Sequence, residues 1–292
     1  IGISNTKVIT YSTIIMAVVN ILLDYCLIFG NFGLPEMGIG GAALASFCAE
    51  VSVFVFFTIY SYIKLTKKDY GMFKIHKLEP ELMGRILKIA TPTMIQKLFS
   101  FSVWFIFFIL IEKMGETATG ISSIVRSVYM ILITPCFAFA TTTNTIVSRI
   151  IGEGHSDQVF STIFKILKNC MLCTIPIIIL VAIFPMQIIR IYTDDLNLAQ
   201  LVIPSIYVIC AGTVFQGIGN AYFEAVSGTG NTSAALYLEA VILVIYVAFI
   251  WMMTHLTTNV HWVWTAEIIY GALLGIFCFI YMKFAKKKKK HI

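Results

Sequence analysis

The chain has 292 residues, of which 59% are hydrophobic and 12% charged, with a mean hydropathy of +0.88. A soluble domain carries about 25% charged residues, so this composition excludes a water-soluble globule and makes the bilayer the solvent for most of the chain. The net charge of +6 lies in loops and tail, which argues against nucleic acid as a partner, and seven cysteines, an odd number within apolar stretches, argue against a disulfide framework.

A spanning helix needs about 20 mostly apolar residues. Eight stretches qualify, near 8–29, 39–63, 86–111, 119–151, 160–184, 199–226, 232–255 and 261–284, so the predicted fold class is an all-α, polytopic membrane bundle. Ionisable groups inside spans are the main functional signal, because each costs several kcal/mol unless paired or hydrated. The first span holds Asn20 and Asp24, whose i, i+4 spacing puts both on one helix face. A carboxylate beside an amide oxygen suits a proton or a hard monovalent cation. The alternative is an Asp near the membrane edge that caps or pairs locally. Glu50 lies in the second span.

The polar linker 64–85 follows, and Glu79-Pro80-Glu81 opens the next helix. Gln96 and Lys97 lie in the third span just after Pro92, and Arg126 lies in the fourth. Cys170 and Cys173 have C-x-x-C spacing in the fifth span, but with no second ligand pair they read as packing residues, and no metal site is expected. The sixth span holds Gln216 and Glu224, eight residues apart and so on roughly one face; the seventh holds Glu239. Glu267, near one end of the eighth, is expected to be interfacial. Lys97 and Arg126 are expected to pair with Glu224 or Glu239, either as part of a site or as static buried ion pairs. The substrate-cavity candidates are thus Glu50, Gln96, Lys97, Arg126, Gln216, Glu224 and Glu239. Five prolines (Pro92, Pro135, Pro176, Pro185 and Pro204) lie in or beside spans, where kinks would suit a protein that changes conformation.

Basic residues cluster in 64–88, around Arg149, Lys165 and Lys168, and in the tail 286–290, all on one side of an eight-span topology. By the positive-inside pattern the linker 64–85 and the C-terminus are expected in the cytoplasm. The first helix pair also looks like a copy of the last. Gly2-Ile3-Ser4-Asn5-Thr6 matches Gly228-Thr229-Gly230-Asn231-Thr232, with Tyr11 on Tyr237 and Ile59-Tyr60 on Ile280-Tyr281. The simplest reading is a duplicated six-helix unit: 1–63 as the last two helices of a first lobe, 64–85 as linker, 86–284 as a complete second lobe and 285–292 as a basic tail. Such repeats place a binding site between halves. They also imply roughly 140 upstream residues and a full length near 430, the chain opening on Ile1. No H-E-x-x-H, P-loop or aspartate-rich diphosphate motif is present, so an enzyme is not expected.

The string Asn20-Ile21-Leu22-Leu23-Asp24-Tyr25-Cys26-Leu27-Ile28-Phe29-Gly30, followed by Gly33-Leu34-Pro35, resembles the junction of the fifth and sixth helices of the multidrug and toxic compound extrusion (MATE) family. Ala90-Thr91-Pro92 with Gln96 resembles the start of that family's seventh helix. Ser148-Arg149-Ile150-Ile151-Gly152-Glu153-Gly154 resembles the end of the eighth, and the run from Gln216 to Thr232 the end of the tenth. The resemblance implies helices five to twelve of a twelve-helix, two-lobe fold, N-terminally truncated. It implies a secondary antiporter that exports organic cations or other amphipathic compounds in exchange for H+ or Na+ by alternating access, with no cofactor beyond the coupling ion. It assigns the proton or cation site to Asn20 and Asp24. Ser100 and Gln216 stand where NorM-like members carry acids, so the chain reads as DinF-like rather than NorM-like. A multi-pass protein of the plasma membrane, monomeric at full length, is expected. The alternatives are a lipid-linked precursor flippase of the same superfamily, or a non-transporting receptor or channel.

Overall fold

The computed structural model describes residues 6–65 and 79–289, with side chains described for 7–64 and 79–284. Residues 2–5 of the first repeat copy, most of the basic linker and the side chains of the lysine tail lie outside the described residues. The described residues form helices and turns, without a strand. Eight helical segments are long and apolar enough to cross a bilayer: Lys7–Phe29, Ile39–Lys64, Pro80–Glu112, Glu116–Gly152, Ser156–Ile183, Leu196–Gly228, Thr232–Leu256 and Val260–Phe284. The protein is therefore an all-α, multi-pass membrane protein.

The chain divides into two compact units, Ile1–Leu78 and Glu79–Ile292. In the first, α1 (Thr6–Phe29) packs along α2 (Ile39–Tyr60), which ends in a π-helical turn over Ser61–Leu65. The loop between them folds back tightly, and the Met37 N–H donates to the Leu27 carbonyl at 2.9 Å.

The second unit holds α3 (Pro80–Glu112), α4 (Glu116–Gly152), α5 (Val159–Ile183), the short α6 (Pro185–Ile189), α7 (Leu196–Gly228), α8 (Thr232–Leu256), the short α9 (Val260–Trp264) and α10 (Ala266–Lys289). Local chemistry sets several starts. Pro80 occupies the first turn of α3, where its missing N–H costs nothing. Asp195 caps α7, its Oδ1 accepting from the Asn197 and Leu198 N–H groups at 2.8 and 3.3 Å. Asn231 caps α8 by accepting from the Ala234 N–H at 3.2 Å. α1 and α8 thus begin on Thr6 and Thr232, the residues that the repeat aligns. Helices α3, α4, α5 and α7 run through Pro92, Pro135, Pro176 and Pro204 as single elements.

α4 and α7 form the centre of this unit, with α10 against α7 and α3 against α8. Its core is apolar (Leu132, Ile133, Ile206, Ile209 and Trp264 are fully buried), while Phe105, Phe164 and Val244 point outward, as lipid-facing side chains do. Glycines at the helix crossings, among them Gly219, Gly228 and Gly271, let helices approach at backbone distance. A Cβ on Gly271 of α10 would lie 2.6 Å from the Gln216 nitrogen of α7, and one on Gly228 of α7 would lie 2.7 Å from the Asn144 carbonyl oxygen of α4. These crossings bring polar side chains of different helices into contact.

Candidate functional site

In the first unit, Asn20 and Asp24 lie one turn apart on the unbroken helix α1, both partly buried. Asp24 Oδ1 is buried and has no hydrogen-bond partner among the described residues. Glu50 is exposed on α2.

The second unit collects its polar side chains around three carboxylates. Glu267 is 3% exposed and accepts three hydrogen bonds from three other helices. The Tyr129 hydroxyl of α4 donates to Oε2 at 2.9 Å, Gln216 Nε2 of α7 to the same oxygen at 2.8 Å, and the Tyr246 hydroxyl of α8 to Oε1 at 2.6 Å. The Gly271 crossing makes this possible, because Gly271 stands one turn beyond Glu267 and seats α10 against the Gln216 backbone. Glu267 is therefore buried within the bundle, in the first turn of α10. Asn220 extends the network by donating to Gln216 Oε1 at 3.1 Å.

Glu239, also 3% exposed, projects from α8. Its Oε1 accepts from the Ser100 hydroxyl at 2.7 Å and from the Tyr270 hydroxyl at 2.9 Å. Its Oε2 is buried without a partner among the described residues. Gln96 is buried one turn before Ser100, with its carbonyl 2.9 Å from the same hydroxyl. The rings of Tyr246 and Tyr270 meet edge to face at 5.6 Å, so the Glu267 and Glu239 networks abut.

Glu224 forms the third centre. Asn144 Nδ2 donates to its Oε2 at 2.9 Å, and Lys97 Nζ is 3.9 Å from its Oε1. Lys97 thus meets Glu224, as one of the expected pairings had it. Arg126 pairs with neither Glu224 nor Glu239; its guanidinium lies 5.0 Å from the Phe108 ring centroid. The reason is rotational. The inward face of α4 carries Val125, Val128 and Tyr129, and Arg126 is turned to the exposed side. Gln216 and Glu224 share α7, yet Gln216 serves Glu267 and Glu224 faces α3 and α4. Cys170 is buried beside Thr174 while Cys173 is exposed, so the C-x-x-C pair does not converge.

Sequence reasoning missed Tyr129, Asn144, Tyr246 and Tyr270. Their signal is a hydrogen-bonding side chain on the same helical stripe as a buried residue, but the stripe has meaning only once the crossings are known. The arrangement offers carboxylates, hydroxyls and amides buried in an apolar bundle, the chemistry of proton or hard-cation binding rather than of bond cleavage.

Comparison with known proteins identifies the family and the fold. The MatE family model matches residues 92–252, more than half of the chain. The chain is 28% identical over 278 residues to "Probable multidrug resistance protein NorM" of Thermotoga maritima, covering 92% of the chain and 58% of that protein. It is 24% identical over 195 residues to the protein of the same name in Synechocystis, covering 66% of the chain and 42% of that protein. A solved structure described as the outward-facing conformation of a multidrug resistance MATE family transporter of the MOP superfamily superposes with a TM-score of 0.85 at 18% identity, covering 97% of this chain and 63% of that one. The chain thus spans less than two thirds of the length of these relatives.

Proposed function

The chain belongs to the MatE family, and from that premise we propose that it acts, within the full-length protein, as a secondary active antiporter and not as an enzyme. It exports organic cations or other amphipathic compounds, in exchange for protons or sodium ions, by alternating access. The observation that carries the coupling role is Asp24, a carboxylate on an apolar helix with one buried oxygen that has no partner among the described residues, and an amide, Asn20, one turn before it. Binding of a proton or monovalent cation there neutralises the carboxylate, and different affinities for that ion in two conformations drive the cycle. Ser100 and Gln216, where acids were expected of NorM-like members, support the DinF-like assignment. The basic segments on one side of the spans support a plasma-membrane protein with linker and C-terminus in the cytoplasm. Its partners are the bilayer and a small-molecule substrate, and the full-length protein works as a monomer.

The test is efflux of a fluorescent organic cation from proteoliposomes containing the full-length protein, under an imposed pH gradient and then a sodium gradient. Flux driven by either gradient identifies the antiporter and its ion. A folded protein with no flux under either would refute the proposal and favour a flippase or a non-transporting role.

A further inference from the structure

Glu239 and Glu267 are equally buried but unequally solvated. Both oxygens of Glu267 are occupied, by Tyr129 and Gln216 on Oε2 and by Tyr246 on Oε1. An ionised carboxylate spreads its charge over both oxygens, and this set of donors serves both. At Glu239 the two donors in full hydrogen-bond geometry, Ser100 and Tyr270, crowd onto Oε1, while Oε2 is buried with no such donor among the described residues and the buried Gln96 side chain of α3 is the further polar group beside the carboxyl. A buried charge with one bare oxygen is costly, and a proton on that oxygen removes the charge. The donors around Glu267 thus suit a carboxylate that stays charged, and those around Glu239 one that changes charge.

We propose that Glu239 is a reversible proton-binding site within the C-terminal unit, the proton adding to Oε2, with Glu267 held ionised beside it. This site is separate from Asp24, which lies in the other unit, and does not rest on the coupling role proposed there. The helices packed against α8 are α3, α7, α9 and α10. From α3 comes Lys97, and from α10 come Tyr270 and Cys278, all within electrostatic range of Glu239; Tyr270 is also within range of Glu267. α7 brings Glu224, paired with Lys97, and α9 carries His261 near the opposite end of α8. Along its own helix, Tyr246 is committed to Glu267.

An approach for the proton is also present. A cleft of about 550 Å³ opens where α3 begins and α7 turns into α8, lined by Thr93, Asn144, Ser148, Ser227 and Thr232 among others. Asn144 leads from the cleft to Glu224, and Lys97 is the charged neighbour that Glu224 and Glu239 share. Asn144, Glu224 and Lys97 thus form a chain of polar neighbours that starts at the cleft.

Infrared difference spectroscopy of the full-length protein in lipid, recorded between neutral and acidic buffer, reads protonation without requiring transport. The carboxylic C=O band that appears on acidification and shifts in D2O is expected to lose one component in Glu239→Gln and to keep it in Glu267→Gln. An unchanged band in Glu239→Gln, or the same component lost in Glu267→Gln instead, overturns the proposal. If Glu239→Gln is not monodisperse, Ser100→Ala and Tyr270→Phe keep the carboxyl and remove one donor each. Both are expected to shift the pH midpoint of that component, and an unmoved midpoint in both overturns the assignment. Loss of antiport with the component intact would separate failure of the functional reading from failure of this one.

Discussion

Replacing Glu267 with Ala takes the acceptor from three buried donors at once, the Tyr129 and Tyr246 hydroxyls and the Gln216 amide, whose residues are 3%, 5% and 4% exposed. A buried polar group left without its partner costs about 1–3 kcal/mol, so three set a ceiling of roughly 3–9 kcal/mol. Removing the carboxylate also returns part of the cost of burying its charge, which lowers the net penalty to about 3 kcal/mol. Equilibrium unfolding in mixed micelles, followed by helical circular dichroism, measures it. Tyr246→Phe supplies the control. In the wild-type background it removes a charge-assisted hydrogen bond and destabilises by about 1.5–3 kcal/mol. In the Glu267→Ala background it deletes an orphaned hydroxyl and is neutral or stabilising, a coupling that a double-mutant cycle isolates. A Glu267→Ala protein within about 0.5 kcal/mol of wild type would refute the reasoning, since changes of that size are typical of surface sites. Equal effects of Tyr246→Phe in the two backgrounds would refute it as well.

Two further substitutions probe how that network is positioned. Gly271→Ala puts a Cβ 2.6 Å from the Gln216 nitrogen, a clash with backbone that forces α10 off α7; a loss of about 1–3 kcal/mol in the same unfolding assay is expected, with Ala272→Gly as the nearby control. Lys97→Ala breaks a 3.9 Å pair that is too long for a hydrogen bond and leaves Glu224 its bond from Asn144, so stability is expected to change by less than about 1 kcal/mol. A larger loss on unfolding would mean that Lys97 is a packing residue.

The eight spans were legible because length and apolarity alone decide them; the differences lie at edges and in short pieces. α3 begins at Pro80, before the 86–111 apolar run, where the Glu79-Pro80-Glu81 signal in the sequence opens it. The helices α6 and α9 have 5 residues each, too short to show a period. The relation of Asn20 to Asp24 was legible because it is local, one turn on one helix. The relations around Glu239 and Glu267 were not, because they depend on which helix face meets which. Ser100, noted only as lacking an acid, and Gln216, named also as a cavity candidate, each hydrogen-bond a carboxylate supplied by another helix. Tyr129 and Tyr246 look in sequence like any aromatic of an apolar helix, and only the close α7–α10 approach reveals them as donors. Arg126 and Lys97 were alike as intramembrane cations, and a rotation about the helix axis separates one from the other.

The central claim is that ion binding at Asp24 drives export, and Asp24→Asn in the full-length protein tests it most directly. Side-chain volume is kept and the ionisable group is lost. Reconstituted beside wild type at matched protein density, the variant is expected to bind the fluorescent cation but to lose efflux driven by the pH or sodium gradient. Gradient-driven efflux that persists in Asp24→Asn, with its ion dependence unchanged, would contradict the account.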